Sequence, residues 1–190
     1  MLRISPDLGR SAFDFIENVQ CLTTPGEIMN AMRTVLSGFG FEYLYFNFLP
    51  GPAQNFEDVL LANSLPAGWL ELYIEKQFAH ADPSMRHCKR MLRPFRWLKD
   101  SPYDPEQESR AVEFVHRAID FGLLDGFVVP IASSAGKVGA MWGGGQAVDL
   151  PERDIPALHL MAIYAFDRVL RLRQPLWNER PRLTPREKRF

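Results

Sequence analysis

The spacing of apolar residues changes abruptly after residue 122, and this change constrains the fold more than any other feature of the sequence. Residues 126–133 and 137–143 are two apolar runs on either side of Ser134-Ala135-Gly136, which indicates a β-hairpin. Apolar residues then return at helical spacing over residues 151–173, on one face formed by Ile155, Leu158, Ala162, Phe166, Val169 and Leu172. This order predicts a sheet with a long helix packed against it.

Other segments predict further helices and strands before the hairpin. Thr24-Pro25-x-Glu27 has the spacing of a capping box with proline at the first helical position, which predicts a helix over residues 25–36. The alternating aromatic run 43–49 and the short run 59–62 indicate two strands. Further helices are expected near residues 13–19 and at 66–78, 83–91 and 104–122, and a short strand at 94–98. Asn63 or Ser64 can cap the helix at 66–78.

These elements predict an α+β fold, a three-layer α-β-α sandwich with a largely antiparallel five-stranded sheet. The 190 residues are enough for one domain with its own core. No apolar run reaches the roughly 18 residues that a membrane span needs, and residues 1–10 lack the apolar stretch of a secretory signal, so a cytoplasmic protein is expected. Cys21 and Cys88 form neither a disulfide framework nor a metal quartet.

The C-terminal part of the sequence predicts a domain boundary. Residues 1–173 are interpreted as one domain, and residues 174–182, which contain two prolines and few aliphatic side chains, as a linker. Leu183-Thr184-Pro185-Arg186-Glu187 repeats the capping-box signal, but a helix that ends three residues later is unstable in water. We therefore expect the natural protein to continue, with residues 183–190 opening a second domain. An accidental Thr-Pro-x-Glu sequence is the alternative.

Four side chains between residues 69 and 97 indicate a site for a small molecule. Trp69 and Tyr73 are four residues apart in a predicted helix, so the indole and the phenol lie on one face, one turn apart. Asp82 precedes Pro83, where a fixed turn can direct the carboxylate towards that face, and Trp97 can form a wall. A ligand that matches these groups has two carbonyl acceptors and one N–H donor, as in an amide attached to a lactone or ester.

The same spacing has a purely structural interpretation. Trp69 and Tyr73 are then core residues of an amphipathic helix, and Asp82 caps the helix that begins at Pro83. Spacing alone leaves both interpretations open.

A metal site or an enzyme motif is not indicated by the sequence. Four residues of types that bind metals lie close together in the chain, but their spacing is not one of the common zinc patterns: His80, Asp82, His87 and Cys88. The sequence also lacks the G-x-S-x-G and phosphate-loop motifs of enzymes.

Taken together, these motifs resemble the autoinducer-binding domain of LuxR-type quorum-sensing transcriptional regulators. The resemblance extends over residues 13–173, and residues 183–187 look like the opening of that family's C-terminal helix-turn-helix DNA-binding domain. It implies a sensor of N-acyl-homoserine lactones without enzymatic activity, cofactor or metal, which forms homodimers and binds DNA through the missing domain. The motifs that carry it are Trp69-Leu-Glu-Leu-Tyr73, Asp82-Pro83, Trp97 and Phe121-Gly122-x3-Gly126-x3-Pro130-Ile131.

The resemblance also implies a role for individual residues. Trp69 is expected to bond the ring carbonyl of the lactone and Tyr73 the acyl carbonyl. Asp82 is expected to bond the amide N–H, while Trp97 packs beside the lactone. Other positions are similar to those that surround the ligand in the family, namely Phe114, Ala118 and Leu123 at the lactone end and Leu65, Ile74 and Met85 on the walls.

Trp142 is the position at which the sequence departs from the family pattern. The resemblance puts it on a strand that faces the acyl chain, where smaller residues are common. Together with the aromatic strand at residues 43–48, a bulky indole there predicts a short, branched or aryl acyl group. Three alternatives stay open: an indole directed into the helix layer, a regulator of this family that senses another molecule such as a plant-derived compound, and a small acyl-transferring or amide-processing enzyme.

Overall fold

The fold is built from seven α-helices and five β-strands in the part of the chain that the computed structural model describes, residues 8–133 and 136–173. In chain order they are α1 (Leu8–Val19), α2 (Pro25–Leu36), β1 (Tyr43–Phe48), α3 (Phe56–Val59), β2 (Leu60–Asn63), α4 (Trp69–Glu75), α5 (Pro83–Cys88), β3 (Phe95–Arg96), α6 (Ser109–Asp120), β4 (Asp125–Ala132), β5 (Val138–Gly145) and α7 (Ile155–Arg173). Short 3-10 turns occur at Ser37–Phe39, Phe78–His80 and Glu152–Asp154.

The five strands form one antiparallel sheet in the order β2-β1-β5-β4-β3. Strands β4 and β5 pair from Asp125 opposite Gly145 to Ala132 opposite Val138, so the hairpin predicted from the sequence is confirmed. Residues 134 and 135 of its turn lie outside the described residues. Strand β1 pairs with β5 along its whole length and therefore occupies the centre of the sheet with it.

Helices cover both faces of this sheet. On one face α7 packs against α1 and α2, and the ring of Phe166 in α7 meets Phe46 and Phe48 of β1 edge-on, with centroid distances of 5.9 and 5.4 Å. On the other face α5 contacts β4, and Phe114 of α6 contacts the ring of Trp69 in α4. The predicted α+β fold, a three-layer α-β-α sandwich with a five-stranded antiparallel sheet, is confirmed.

Helix α2 begins at the residue that its capping signal predicts and ends at Leu36, as expected. The N–H of Glu27 donates to Thr24 Oγ1 at 3.2 Å, and the N–H of Thr24 donates to Glu27 Oε2 at 3.1 Å. These two bonds satisfy backbone donors that the first helical turn cannot pair internally. Hydrogen bonds from Thr23 and Thr24 lower the pKa of the Glu27 carboxyl, which keeps it ionised beside the positive end of the helix.

Helix α4 is shorter than the helix predicted over residues 66–78. It begins at Trp69, directly after Gly68, whose φ of 81° is in the left-handed region. It is followed by Gln77 with a φ of 50°, the one non-glycine residue with positive φ in the described part of the chain. Left-handed residues interrupt a right-handed helix, so this segment is divided between α4 and the 3-10 turn Phe78–His80.

Ser64, expected as a possible helix cap, makes hydrogen bonds within the sheet instead. Its hydroxyl accepts the N–H of Leu44 at 3.1 Å and lies 3.2 Å from the Leu44 carbonyl oxygen, to which it donates.

Helix α6 begins at Ser109 rather than near residue 104, because Asp104 Oδ1 accepts the N–H of Glu106 at 2.9 Å and holds a turn before the helix. The helical turn α3 was not predicted.

None of the helices in the described ranges combines the length and the apolar character needed to cross a bilayer. The predicted linker at residues 174–182 and the predicted helix start at residues 183–190 lie outside the described residues.

Gly139 allows the closest contact between the sheet and α7, which leads to a first prediction. A Cβ atom at this position would lie 2.2 Å from Cζ of Phe166. Gly139→Ala is therefore expected to lower the free energy of unfolding by roughly 1–3 kcal/mol, the usual cost of overpacking a core. Gly26→Ala is the matched control, because no atom lies within 4 Å of a Cβ there and alanine favours a helix.

Urea denaturation of both variants measures this difference. Equal stability of Gly139→Ala and Gly26→Ala would show that Phe166 moves aside without cost and would contradict the prediction.

Candidate functional site

A cavity lies between the sheet and the layer formed by α4, α5 and α6. Its volume is about 30 Å³, so the space is narrow. Its lining is mostly aromatic and consists of Tyr43, Tyr45, Leu65, Trp69, Tyr73, Asp82, Trp97, Phe114, Leu123, Phe127, Trp142, Gly143 and Gly144. A concave apolar surface with a few converging polar groups is typical of a small-molecule site.

An aromatic cluster holds the first two predicted residues in place. Trp69 lies next to Tyr73 in α4, with ring centroids 5.8 Å apart, and both side chains are 3% exposed. Trp69 also contacts the rings of Phe114 and Phe121 at 6.1 and 5.3 Å, so its indole is held from the side of α6. Offset and edge-on ring pairs of this kind add stabilisation beyond the area they bury. The i, i+4 spacing thus produces two polar tips on one buried face, as the sequence predicts.

Asp82 combines a structural role with a position in the cavity. Its Oδ1 accepts the backbone N–H of Ser84 at 2.8 Å and also bonds the Ser84 hydroxyl, which makes Asp82 the N-cap of α5. Its Oδ2 accepts the Tyr73 hydroxyl at 3.2 Å. The capping interpretation is therefore confirmed, and it does not exclude the other one, because the carboxylate lines the cavity and is 3% exposed.

Burial dominates the protonation of these groups. It raises the pKa of Asp82 to about 6, although the hydrogen bonds from Ser84 and Tyr73 act in the opposite direction. Burial, and then the nearby Asp82 carboxyl, raise the pKa of Tyr73 well above its usual range. Near neutral pH the cavity therefore presents a protonated phenol as donor and an ionised carboxylate as acceptor.

Trp69 retains an unused hydrogen-bond donor. In residues 8–133 and 136–173 no acceptor bonds its indole N–H. The indole nitrogen is nevertheless not completely buried, and Trp69 lines the cavity. A donor on the wall of a cavity that no protein group satisfies is available to a ligand oxygen.

Trp142 of β5 is directed away from the α7 layer. It lies opposite Tyr45 of β1, and the two rings stack with centroids 5.5 Å apart and planes 3° from parallel. The indole N–H donates to Oδ1 of the buried Asn47 at 2.6 Å. Trp142 therefore lines the cavity and is 3% exposed.

The cavity brings together eight of the eleven side chains singled out from the sequence: Leu65, Trp69, Tyr73, Asp82, Trp97, Phe114, Leu123 and Trp142. The other three are not part of this lining. Ala118 is fully buried in α6, Met85 is buried in α5 with its sulfur 3.9 Å from the Asn47 amide nitrogen, and Ile74 packs partly buried against the core.

The aromatic strand at residues 43–48 was expected to shape the acyl end of the site, but its members were not singled out one by one. Tyr43, Tyr45 and Asn47 share one face of this strand, and the first two of them line the cavity. No local signal identifies the remaining members, which are Phe127, Gly143 and Gly144.

Metal chemistry has no structural support in the described ranges. No three His, Cys, Asp or Glu side chains there are grouped closely enough to hold a metal ion. Burial, and then the charge of Asp82, raise the pKa of the Cys88 thiol to about 12, so it stays a protonated core side chain.

The sequence is similar to known proteins over most of its length. The sequence matches the family model described as autoinducer binding domain over residues 24–169. It is 42% identical to the transcriptional activator protein BjaR1 of Bradyrhizobium diazoefficiens, over 96% of this chain and 75% of that protein. It is 32% identical to the quorum sensing-dependent transcriptional regulator RpaR of Rhodopseudomonas palustris, over 94% of this chain and 72% of that protein.

Solved structures show the same fold at lower identity. Escherichia coli SdiA superposes with a TM-score of 0.67 at 18% identity, covering 96% of this chain and 76% of that one. The LuxR family factor CepR2 of Burkholderia cenocepacia superposes with a TM-score of 0.61 at 17% identity, covering 86% of this chain and 92% of that one.

The raised pKa of Asp82 predicts a pH dependence of stability. The pKa is about 6 in the folded protein against 3.8 for an ordinary aspartate, so between these values the folded state binds more protons than the unfolded state. The contribution of Asp82 to stability is therefore greatest near pH 4 and falls, by roughly 3 kcal/mol, as the pH rises to about 7.

Asp82→Asn isolates this contribution, because asparagine also caps helices but carries no charge. The free energy of unfolding of the variant minus that of the wild type, from denaturant titrations at pH 4, 5, 6 and 7, should rise with pH. A difference that stays constant would show that Asp82 is not desolvated in the folded protein.

Proposed function

Because this chain belongs to the autoinducer-binding domain family of LuxR-type transcriptional regulators, we propose that its cavity binds an N-acyl-homoserine lactone as a quorum-sensing signal. The observation that carries the proposal is a single cavity in which two donors and a buried carboxylate lie side by side: Trp69, Tyr73 and Asp82. The relatives at 42% and 32% identity are transcriptional regulators, which supports sensing rather than catalysis.

The pair formed by Tyr73 and Asp82 suits an amide. The Tyr73 hydroxyl lies 3.2 Å from Asp82 Oδ2, which is long for an O–H···O hydrogen bond. An amide that inserts here offers its carbonyl to the Tyr73 hydroxyl and its N–H to the carboxylate. Asp82 then exchanges one donor for another, so the buried charge stays hydrogen-bonded. An ester in the same place has no N–H and would leave Asp82 without this donor.

The lactone ring is proposed to lie at the α4–α6 end of the cavity. The unused indole N–H of Trp69 is the donor for the ring carbonyl, and Trp97 forms the wall beside the ring. Trp97 is edge-on to Phe114, with centroids 6.1 Å apart, so aromatic rings surround this end. Leu123 completes the lining there, and Ala118 supports it from behind.

The acyl group is proposed to be short, branched or aryl. The rings of Tyr45 and Trp142, which both line the cavity, are stacked on each other and leave no room between them for a chain. A narrow space lined by aromatic rings favours a compact or flat group over a long linear one. A regulator of the same family that senses another small molecule, such as an aryl amide from plants, is the second candidate, and the same aromatic pair favours it.

The full-length regulator is proposed to act as a homodimer and to bind DNA through a C-terminal helix-turn-helix domain. This chain spans 75% and 72% of the lengths of the two relatives at 42% and 32% identity. Residues 183–190, whose sequence resembles the opening of such a domain, lie outside the described residues.

Ligand binding is expected to stabilise the folded chain. A ligand at 100 times its Kd adds about 2.7 kcal/mol to the free energy of unfolding. For a chain of 190 residues this corresponds to a rise in Tm of roughly 5–10 °C. Differential scanning fluorimetry with butanoyl, methyl-branched, phenylacetyl and dodecanoyl homoserine lactones measures the effect, and the ring-opened form of each lactone is the control.

The compact acyl groups should give the larger shifts. The largest shift with the dodecanoyl compound would contradict the proposed acyl group, while no shift with any lactone would contradict the proposed ligand class.

Removal of the Asp82 carboxylate is expected to weaken binding of the best lactone. A hydrogen bond to a charged group contributes about 1.5–3 kcal/mol, so Asp82→Ala should raise Kd roughly 10- to 150-fold in isothermal titration calorimetry. Asp149→Ala, at an exposed aspartate outside the cavity, is the control and should bind like the wild type.

Because Asp82 also caps α5, the titration is made well below the Tm of the variant. A folded Asp82→Ala variant with wild-type affinity would remove Asp82 from the binding site.

A further inference from the structure

Asn47 is a fully buried amide in the middle of β1, where the surrounding side chains are apolar or aromatic. The pairing of β1 with β2 shifts register between Phe46 and Asn47, whereas the pairing with β5 is continuous, so Asn47 stays on the same face of β1 as Tyr45. Burying an amide is costly unless its hydrogen-bonding groups are satisfied. The partners of Asn47 therefore indicate why a polar residue occupies this place.

The Asn47 amide has a partner for each of its two ends. Its Oδ1 accepts the indole N–H of Trp142 at 2.6 Å, and its Nδ2 donates to the carbonyl of Phe48 at 2.9 Å. An indole N–H can only donate and a carbonyl can only accept, so one orientation of the amide satisfies both. The sulfur of Met85 in α5 lies 3.9 Å from the same Nδ2 and closes the space behind it.

This arrangement fixes the orientation of Trp142. Among the described residues, the Asn47 oxygen is the acceptor of its indole N–H. Rotation of the indole away from Tyr45 would leave the donor of Trp142 and the acceptor of Asn47 buried without partners. The stack on Tyr45 alone would allow the ring to slide, whereas the hydrogen bond determines where along the cavity wall it lies.

We propose that Asn47 is a positioning residue that sets the acyl-group preference of the site by holding Trp142 in a fixed place in the cavity wall. This inference rests on the proposed function, because it concerns the acyl group of the same ligand. Asn47 is not among the residues that line the cavity, so it acts through Trp142 rather than by contact with the ligand.

A double-mutant cycle separates this role from a general contribution to stability. The variants are Asn47→Leu, Trp142→Phe and the two combined, and the measured quantity is the Kd for dodecanoyl divided by the Kd for butanoyl homoserine lactone. Asn47→Leu should lower this ratio about fivefold, the factor expected from loss of one hydrogen bond, because Trp142 becomes free to rotate and longer chains gain space. In the Trp142→Phe background the same change should leave the ratio within about twofold, because the indole donor is already gone.

Two further variants keep the test independent of folding effects. Asn47→Ala removes the same acceptor without introducing a larger apolar side chain, and it should change the ratio in the same direction as Asn47→Leu. Arg168→Gln removes the bonds from Arg168 to the Leu22 carbonyl, at 3.0 and 2.6 Å, on the α7 side of the sheet. It should lower Tm but leave the ratio unchanged.

The orientation of Trp142 is also measured without any ligand. In the free 190-residue chain, the indole N–H of Trp142 should exchange slowly with solvent in ¹H–¹⁵N spectra, and Asn47→Leu should make this exchange at least about tenfold faster. Equal exchange in the two proteins would overturn the inference whatever the ligand is.

The outcomes distinguish this inference from the proposed function. Suppose that the wild type binds lactones. The positioning role of Asn47 is then wrong if Asn47→Leu leaves the ratio of the two Kd values unchanged, or if it lowers this ratio equally in the wild-type and Trp142→Phe backgrounds. If no lactone binds the wild type, the proposed function is wrong, and the acyl preference assigned to Asn47 is overturned with it. In that case a change in indole exchange would show only that the bond orients Trp142.

Discussion

The pairing of β1 with β5 is the constraint on which the rest of the protein depends. It joins two segments whose hydrogen-bonded side chains, Asn47 and Trp142, are 95 residues apart in the chain. One face of the pair receives α7 through the rings of Phe46 and Phe48, and the other presents Tyr45 and Trp142 to the cavity. Side chains alternate between the faces of a strand, so a slip of one residue would exchange core and cavity residues. The register of this pair therefore determines both the stability of the core and the shape of the binding surface.

Asp82 shows how one residue serves folding and recognition together. As the N-cap of α5 it satisfies backbone donors that would otherwise be unpaired, and this requirement holds its carboxylate at the cavity wall. Burial opposes the charge and raises the pKa of the group to about 6, yet the hydrogen bonds from Ser84 and Tyr73 keep the ionised form accessible near neutral pH. The structural interpretation of Asp82 as a helix cap is therefore compatible with its proposed role as a ligand contact.

Local signals in the sequence predicted much of the fold and the centre of the site, because capping, strand alternation and i, i+4 spacing act over a few residues. The capping box at Thr24 predicted the start of α2, and the spacing of Trp69 and Tyr73 predicted the paired polar tips in the cavity. Helix α4 ends at Glu75 because Gln77 adopts a left-handed conformation, and a glutamine gives no sign of this conformation in the sequence. The bond between β1 and β5 that orients Trp142 depends on tertiary pairing, so no local pattern contains it. For the same reason the sequence could not separate lining residues from other side chains of the core, such as Ile74, Met85 and Ala118.

Helix α5 is only six residues long, and it supports the site at two points. Asp82 caps its first turn and lines the cavity. The sulfur of Met85, three residues later, lies 3.9 Å from the amide nitrogen of Asn47, whose oxygen bonds Trp142. The carboxylate and the indole of the lining therefore share one short helix as a support. A single substitution in α5 thus has consequences for both the polar and the aromatic part of the cavity wall, although none of the residues Pro83–Cys88 belongs to the lining itself.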